Sequence, residues 1–205
     1  MDLPPGCIIE GTKFVKCPQD FAGDFTIPVG IERVGVASFY FCKSLTGVHI
    51  PDGVNEIGWN AFRGCVSLTS VHIPDGCTRI GTSAFNSCDN LTSVRIPDGV
   101  TSIDSYAFGD CPALSSVHIP ESVTVIAGCA FQGCDSLSVA IIPKTCDVAE
   151  DAFPASCKIF KGLAEYRTYL AKKLADERAG DGVEIVGMHT PQFDPPLDGS
   201  SGRDI

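Results

Sequence analysis

The sequence predicts an α/β solenoid. In this fold, short units form a right-handed stack with one parallel β-sheet on the concave side and short helical or 3₁₀ turns opposite. Residues 68–90 read LTSVHIPDGCTRIGTSAFNSCDN, and residues 91–113 read LTSVRIPDGVTSIDSYAFGDCPA. Proline returns every 23 residues, at Pro28, Pro51, Pro74, Pro97, Pro120 and Pro143. The stretch 162–179 lacks the repeat and predicts a C-terminal helix that caps the stack.

The repeated units divide the chain. Near-identical units begin at Leu45, Leu68, Leu91 and Leu114, with a weaker copy at 22–44, a degraded copy from Leu137 and half a unit at 3–17. Degraded end copies are expected, because a terminal repeat faces solvent on one side. The predicted organisation is an N-terminal cap or partial repeat at 1–21, about six repeats at 22–157, a capping helix and short strand at 158–188, and a disordered tail at 189–205.

Each position of the unit L-x-x-V-x-I-P-D-G-V-x-x-I-G-x-x-A-F-x-x-C-x-x has a physical reason. The V-x-I alternation predicts a short strand with Val71 pointing inward. Pro74 lacks a backbone N–H and ends the strand, and Pro-Asp-Gly forms a turn. Ile80 is the next inward residue, and Ala84-Phe85 predicts a short helical or 3₁₀ turn. A single unit buries too little apolar surface to offset the entropy of ordering its backbone, so stacking is required.

The recurring I-P, A-F and C positions carry a resemblance to a known family. They are similar to the 23-residue, Treponema-pallidum-type class of leucine-rich repeat found in BspA-like surface proteins of bacteria and protists. The resemblance implies the solenoid fold and a general habit of protein–protein binding. It implies no substrate, no partner and no catalytic residue. Some family members are adhesins with signal peptides, so a cell-surface adhesin or antigen is the alternative function.

Charge and hydropathy narrow the class of partner. The chain of 205 residues carries a formal net charge of −10. An acidic chain without a Lys/Arg cluster binds phosphate backbones poorly, so we expect no nucleic-acid partner. No apolar run is long enough for a membrane span. The start, MDLPPGCIIEG, lacks the basic and apolar regions of a signal peptide and predicts a cytoplasmic protein. A fragment of a longer surface protein would be extracellular instead.

Cysteine follows the repeat as well. The chain has eleven cysteines, and seven share one repeat position: Cys17, Cys42, Cys65, Cys88, Cys111, Cys134 and Cys157. We expect buried free thiols that meet backbone carbonyls, as a reducing compartment favours. The ~4.8 Å spacing of neighbouring strands also permits disulfides. No C-x₂-C pair is present, so a zinc site is disfavoured and no cofactor is expected. Cys77 and Cys146 replace Val or Ile and are predicted to be small core residues.

The outward strand positions carry the candidate binding residues. One column contains His49, His72, Arg95 and His118, and a second contains Ser70, Ser93 and Ser116. Together they predict a binding strip on the concave sheet, whose charge rises as the pH falls through the histidine range. Two alternatives stand beside this hypothesis. In the first, the histidines were copied by repeat duplication and have no binding role. In the second, His49 and His72 bind a metal with a nearby aspartate.

The residues after the repeats predict a helix and a tail. An apolar row at helical spacing contains Leu163, Tyr166, Leu170 and Leu174. This row predicts a helix that covers the last coil, with a docking helix for a partner as the alternative. The segment VEIVGM at 183–188 predicts a short strand. The tail after it is rich in Pro, Gly, Asp and Ser, which is typical of disorder.

Motifs for catalysis are missing from the sequence. It contains no G-x-S-x-G, no H-E-x-x-H and no glycine-rich phosphate loop. We therefore expect a non-enzymatic scaffold that binds a protein or peptide through its concave sheet. A monomer is expected, with an end-to-end dimer as the alternative because sheet edges at the ends of a solenoid are exposed.

Overall fold

The computed structural model describes residues 3–179, and this part of the chain is a β-solenoid of about six turns with a helix at its C-terminal end. The predicted fold class is therefore confirmed. The strand predicted at 183–188 and the tail predicted at 189–205 lie outside the described residues. Residues 3–17, predicted to be half a unit, supply the first rung.

Two sheets run along the stack, and each of the five units between 22 and 136 contributes one strand to each of them. The five-stranded sheet is parallel and contains β3 (Ala22–Thr26), β5 (Ser44–His49), β7 (Ser70–His72), β9 (Ser93–Arg95) and β11 (Ser116–His118). The eight-stranded sheet contains β1 (Ile8–Glu10), β2 (Lys13–Lys16), β4 (Arg33–Val34), β6 (Glu56–Ile57), β8 (Arg79–Ile80), β10 (Ser102–Ile103), β12 (Val125–Ile126) and β14 (Asp147–Val148). At the C-terminal end, β13 (Val139–Ile142) pairs in parallel with β15 (Lys158–Lys161).

The eight-stranded sheet is an addition to the prediction, which contained one parallel sheet. Its strands from β4 onward have two residues each, and β8 pairs in parallel with β6 through Ile80 and Ile57. A two-residue strand is too short to produce an alternating pattern in a sequence. Both isoleucines are fully buried, so the column of inward Ile and Val side chains holds this second sheet in register.

Side-chain alternation explains the five-stranded sheet. Val71 points into the core with 8% of its surface exposed, whereas Ser70 and His72 on either side of it are exposed. The strand stops before Pro74, whose carbonyl accepts a hydrogen bond from the Cys77 N–H at 2.9 Å and closes the turn. The predicted inward and outward positions of the unit therefore agree with the structure.

The Ala-Phe segment forms hydrogen-bonded turns in place of the predicted helical or 3₁₀ turns. Asn60, Ser83 and Tyr106, which precede Ala-Phe in successive units, have φ of 55°, 56° and 56°. This left-handed residue tilts the backbone N–H groups along the stack, so that Phe62 donates to the Ala84 carbonyl at 2.7 Å. Successive units are thus joined by hydrogen bonds here as well as in the two sheets.

A stack of phenyl rings fills the core behind these turns. The seven rings belong to Phe14, Phe39, Phe62, Phe85, Phe108, Phe131 and Phe153. Neighbouring ring centroids are 4.8 to 5.4 Å apart, and the ring planes differ by 1° to 14°. The rung spacing of the solenoid sets this distance, which lies in the range of favourable aromatic contacts.

The C-terminal helix α1 (Leu163–Ala179) touches the solenoid mainly through its first two turns. The rings of Tyr166 and Tyr169 lie 5.3 and 4.9 Å from the ring of Phe160 in β15. Farther along the predicted apolar row, Leu174 is 43% exposed. The first turns of α1 therefore cover β15, and part of the apolar row of the helix remains in solvent.

Candidate binding surface

The predicted binding residues all lie on the outer face of the five-stranded sheet. Register pairs join the first column of candidates in the order His49, His72, Arg95, His118 and the second in the order Ser70, Ser93, Ser116. The four residues of the first column are exposed, and Ser116 is half-buried. The structure thus brings all seven side chains onto one surface, which we call the histidine face.

The strands hold these side chains in a fixed arrangement. Val48, Val71, Val94 and Val117 lie between the serine or glycine position and the first column, and all four are buried. Their packing anchors each strand, and the period of two then forces the flanking residues outward. The histidine face is rigid because buried residues position every exposed one.

Acidic residues run alongside the first column. Asp52, Asp75 and Asp98, together with Glu121, occupy one exposed position of the Pro-Asp-Gly turns. The Arg95 guanidinium donates to the Asp75 carboxylate at 2.9 Å, one rung before it. Both side chains are more than half exposed, so this ion pair contributes little to stability. The histidine face therefore presents cationic and anionic positions side by side.

Beside the serine column, the hydroxyl groups of the next column form hydrogen bonds within the stack. Thr92 donates its hydroxyl to the Thr69 carbonyl at 3.3 Å, and Ser115 donates to the Thr92 carbonyl at 3.3 Å. These hydroxyls stabilise neighbouring rungs. The hydrogen-bonding groups that project beyond them belong to the two columns of the histidine face.

A groove adjoins the end of the histidine face, and the sequence analysis did not identify it. Its volume is about 580 Å³, and we call it the β11–α1 groove. The residues that line it are Asp98, Val117, His118, Ile119, Pro120, Glu121, Ser122, Ile141 and Leu163. One sequence signal marks it: in the first column, His118 is followed by Ile141, where the polar pattern stops.

The cysteine column lies in the core at the bend before each new strand. Six of its seven cysteines are buried, and Cys157 is half-buried. Cys65, Cys88, Cys111 and Cys134 donate their thiol hydrogens to the carbonyls of Phe39, Phe62, Phe85 and Phe108 at 3.0 to 3.3 Å. Each thiol thereby satisfies a carbonyl of the preceding unit. Burial also raises the pKa of the Cys65 thiol, which favours its protonated form.

Cys77 provides a prediction about alkaline stability. It is fully buried, and desolvation raises its pKa from 9.0 to about 11. Between these values the unfolded chain loses the proton more readily than the folded one, so the free energy of unfolding falls as the pH rises. Replacing Cys77 by Val, the residue at Val54 and Val100 of neighbouring units, removes this contribution. Between about pH 8 and about pH 11, the free energy of unfolding measured in urea should fall by roughly 2 kcal/mol less in Cys77→Val than in the wild type. Equal losses in both proteins would contradict it.

Two features are absent from residues 3–179, a cluster of metal ligands and a helix suited to a bilayer. Within residues 3–179, no group of three or more His, Cys, Asp or Glu side chains is arranged to hold a metal ion. His49 and His72 therefore lack a third ligand in that part of the chain. No helix in the same range combines the length and apolar character that crossing a bilayer requires.

One further polar contact involves a cysteine outside the column. The Cys129 thiol lies 3.2 Å from a carboxylate oxygen of Asp151, at the positions that precede Ala-Phe in the last two units. The thiol donates and the carboxylate accepts. The contact joins two neighbouring turns, so its role here is structural.

The fold and the repeat relate the chain to known proteins. A family model described as "BspA type Leucine rich repeat region" matches residues 8–160 in six copies. A comparison with curated proteins found no significant match. A leucine-rich repeat protein from Bacteroides ovatus is 27% identical, with a TM-score of 0.69 over 78% of this chain and 44% of its own length. This chain therefore spans less than half of that protein.

Two further solved structures have the same fold. The leucine-rich repeat protein of T. pallidum is 26% identical, with a TM-score of 0.57 over 78% of this chain and 75% of its own. The pneumococcal vaccine antigen PcpA, at 19% identity, has a TM-score of 0.67 over 79% of this chain and 42% of its own. The repeat pattern, the solenoid and the family match agree, and the chain belongs to the BspA-type leucine-rich repeat family.

Proposed function

We propose that this protein is a non-catalytic scaffold that binds another protein or a peptide through its histidine face. The observation that carries the proposal is the register of His49, His72, Arg95 and His118 on adjacent strands, where all four are exposed. A sheet surface with ionisable groups at regular spacing suits a protein partner.

Reduced thiols support a proposal for location. Four thiols of the cysteine column act as hydrogen-bond donors to carbonyls, a role that requires the S–H form. A compartment that keeps thiols reduced preserves these bonds, so we infer a cytoplasmic protein. The alternative is a cell-surface antigen, and its support is the description of PcpA as a vaccine antigen. The likeness to PcpA at 19% identity concerns the fold, and we therefore favour the scaffold.

Charge reversal of the histidine face provides the test. The bait is the full chain, used as wild type and with His49, His72, Arg95 and His118 all replaced by Glu. We expect wild type to capture a protein from source-cell lysate that the variant does not, since the substitutions remove the imidazole and guanidinium groups of the column and replace them with carboxylates.

A control with the same kind of substitution on the other sheet distinguishes the loss of a binding site from a general effect of added negative charge. Arg33→Glu with Arg79→Glu changes exposed positions of the eight-stranded sheet and should leave capture unchanged. Glutamates on adjacent strands repel one another, so the thermal midpoint of each protein is measured and capture is compared at a temperature below all three midpoints. Identical capture by wild type and the histidine-face variant would overturn the proposal.

A further inference from the structure

We propose that the β11–α1 groove binds a peptide segment in which an apolar side chain is flanked by lysine or arginine. The inference rests on the proposed function, because the groove adjoins the histidine face at His118, and it names the chemistry of the partner. The groove is open at the surface of the described chain, and its volume of about 580 Å³ suits one or two side chains.

The groove has an apolar floor and wall. Val117 and Ile119 form buried parts of the floor, with 5% and 7% of their surfaces exposed. Ile141 is half-buried, and Leu163 at the start of α1 is 49% exposed. A half-exposed leucine beside a buried aliphatic floor leaves apolar surface in water, which an apolar ligand side chain would cover.

A break between two sheets opens the groove. β11 is the last strand of the five-stranded sheet, whereas β13, one rung later, pairs with β15 in a separate sheet. One rung further on, the chain leaves β15 through Gly162, whose N–H donates to the Ile142 carbonyl at 2.8 Å, and α1 begins. The groove therefore lies at the transition from the regular stack of strands to helix α1.

The formal charges in the groove are negative. Asp98 and Glu121 line it, and none of the described lining residues is a lysine or arginine. Asp98 is the equivalent of Asp75 one unit earlier, and His118 is the equivalent of Arg95. The Arg95–Asp75 pair at 2.9 Å demonstrates that a carboxylate at this turn position accepts a guanidinium above the strand column. Asp98 presents the same kind of exposed carboxylate one rung later, and a basic residue of a ligand would meet it from the solvent side.

These charges favour a basic peptide over an anionic ligand such as a fatty acid. A carboxylate ligand would meet like charge from Asp98 and Glu121 on a chain whose net charge is −10. A basic residue on each side of the apolar side chain would instead pair with the two carboxylates. The apolar side chain supplies burial, and the flanking charges supply selectivity.

The test uses methyl NMR spectra of the full chain and three acetylated, amidated peptides. The probe is Ser-Lys-Leu-Lys-Phe-Lys-Ser, and its matched controls replace every Lys by Glu or both apolar residues by Ser. We expect the lysine peptide alone to shift the methyl signals of Val117, Ile119, Ile141 and Leu163. Sodium octanoate, as an anionic apolar probe, should leave them unchanged.

Variants place the interaction in the groove. Leu163→Ser and Asp98→Lys should each weaken binding of the lysine peptide by roughly tenfold, or about 1.4 kcal/mol. The repeat supplies matched controls, because Leu174→Ser changes another half-exposed leucine of α1 and Asp52→Lys changes the equivalent turn aspartate two units away. Both controls should bind as wild type does.

Failure of this inference can be distinguished from failure of the proposed function. Shifts of equal size with the glutamate peptide or octanoate, or none with the lysine peptide, would overturn the basic-peptide assignment. Capture that is lost when only His49, His72 and Arg95, which do not line the groove, are replaced by Glu would still support the proposed function in that case. Conversely, specific groove shifts with capture unaffected by the histidine-face variant would remove the face as the site and leave the peptide groove as an independent one.

Discussion

Replacing Phe85 by Ala is expected to lower the free energy of unfolding by about 3–5 kcal/mol, the range for deletion of a buried phenyl ring. Phe85 is fully buried, and its ring lies 5.1 Å from Phe62 and 5.3 Å from Phe108 with nearly parallel planes. The substitution therefore leaves a cavity inside the stack and interrupts two ring contacts. Urea-induced unfolding followed by circular dichroism measures the loss.

The end of the stack provides the control for this substitution. Phe153 has one stacked neighbour, Phe131 at 4.9 Å, and is 7% exposed. Phe153→Ala should therefore reduce stability less than Phe85→Ala, and Phe85→Leu should also be milder because it keeps most of the volume. If Phe85→Ala loses less than about 1 kcal/mol, the phenyl stack does not hold the units together as described.

Deletion of one whole unit is expected to leave a folded, shorter solenoid. Removing 91–113 joins Asn90 to Leu114, so that a leucine still follows Asn90 as it does in the native chain. Equivalent residues of the two flanking units then become neighbours in every column, because each unit contacts only the units next to it. The heat-capacity change of unfolding should fall by about 0.3 kcal/mol/K, which corresponds to roughly 23 residues. Differential scanning calorimetry measures this change.

Deletion of about half a unit should have the opposite result. Removing 91–101 takes away β9 and leaves β10 and the following turn attached to the wrong part of the preceding unit. The phenyl, cysteine and strand columns then lose their alignment together, so the cooperative transition should disappear. A half-unit deletion that unfolds as cooperatively as the whole-unit deletion would contradict the stacking argument.

The histidine face could be predicted because it depends on periodicity alone. A 23-residue repeat aligns equivalent residues, and alternation along V-x-I assigns His72 to the outer face and Val71 to the core. The β11–α1 groove could not be predicted in the same way. It depends on where β11 stops pairing and on which residues of β11, β13 and α1 line one groove, and both are set by the arrangement of distant parts of the chain.

The sequence by itself determined the solenoid, its rung length, the buried columns and the exposed columns, because each follows from a pattern repeated in one chain. Tertiary structure alone decided the second sheet, the left-handed residues before Ala-Phe and the limited contact of α1. Asn60, Ser83 and Tyr106 share a positive φ although their side chains have little in common. Asparagine adopts this conformation readily, but serine and tyrosine do not, so the hydrogen bonds that all three backbone N–H groups donate to the neighbouring unit impose it. Likewise, α1 contacts β15 where Phe160 lies, and the helical pattern of its leucines does not contain that information.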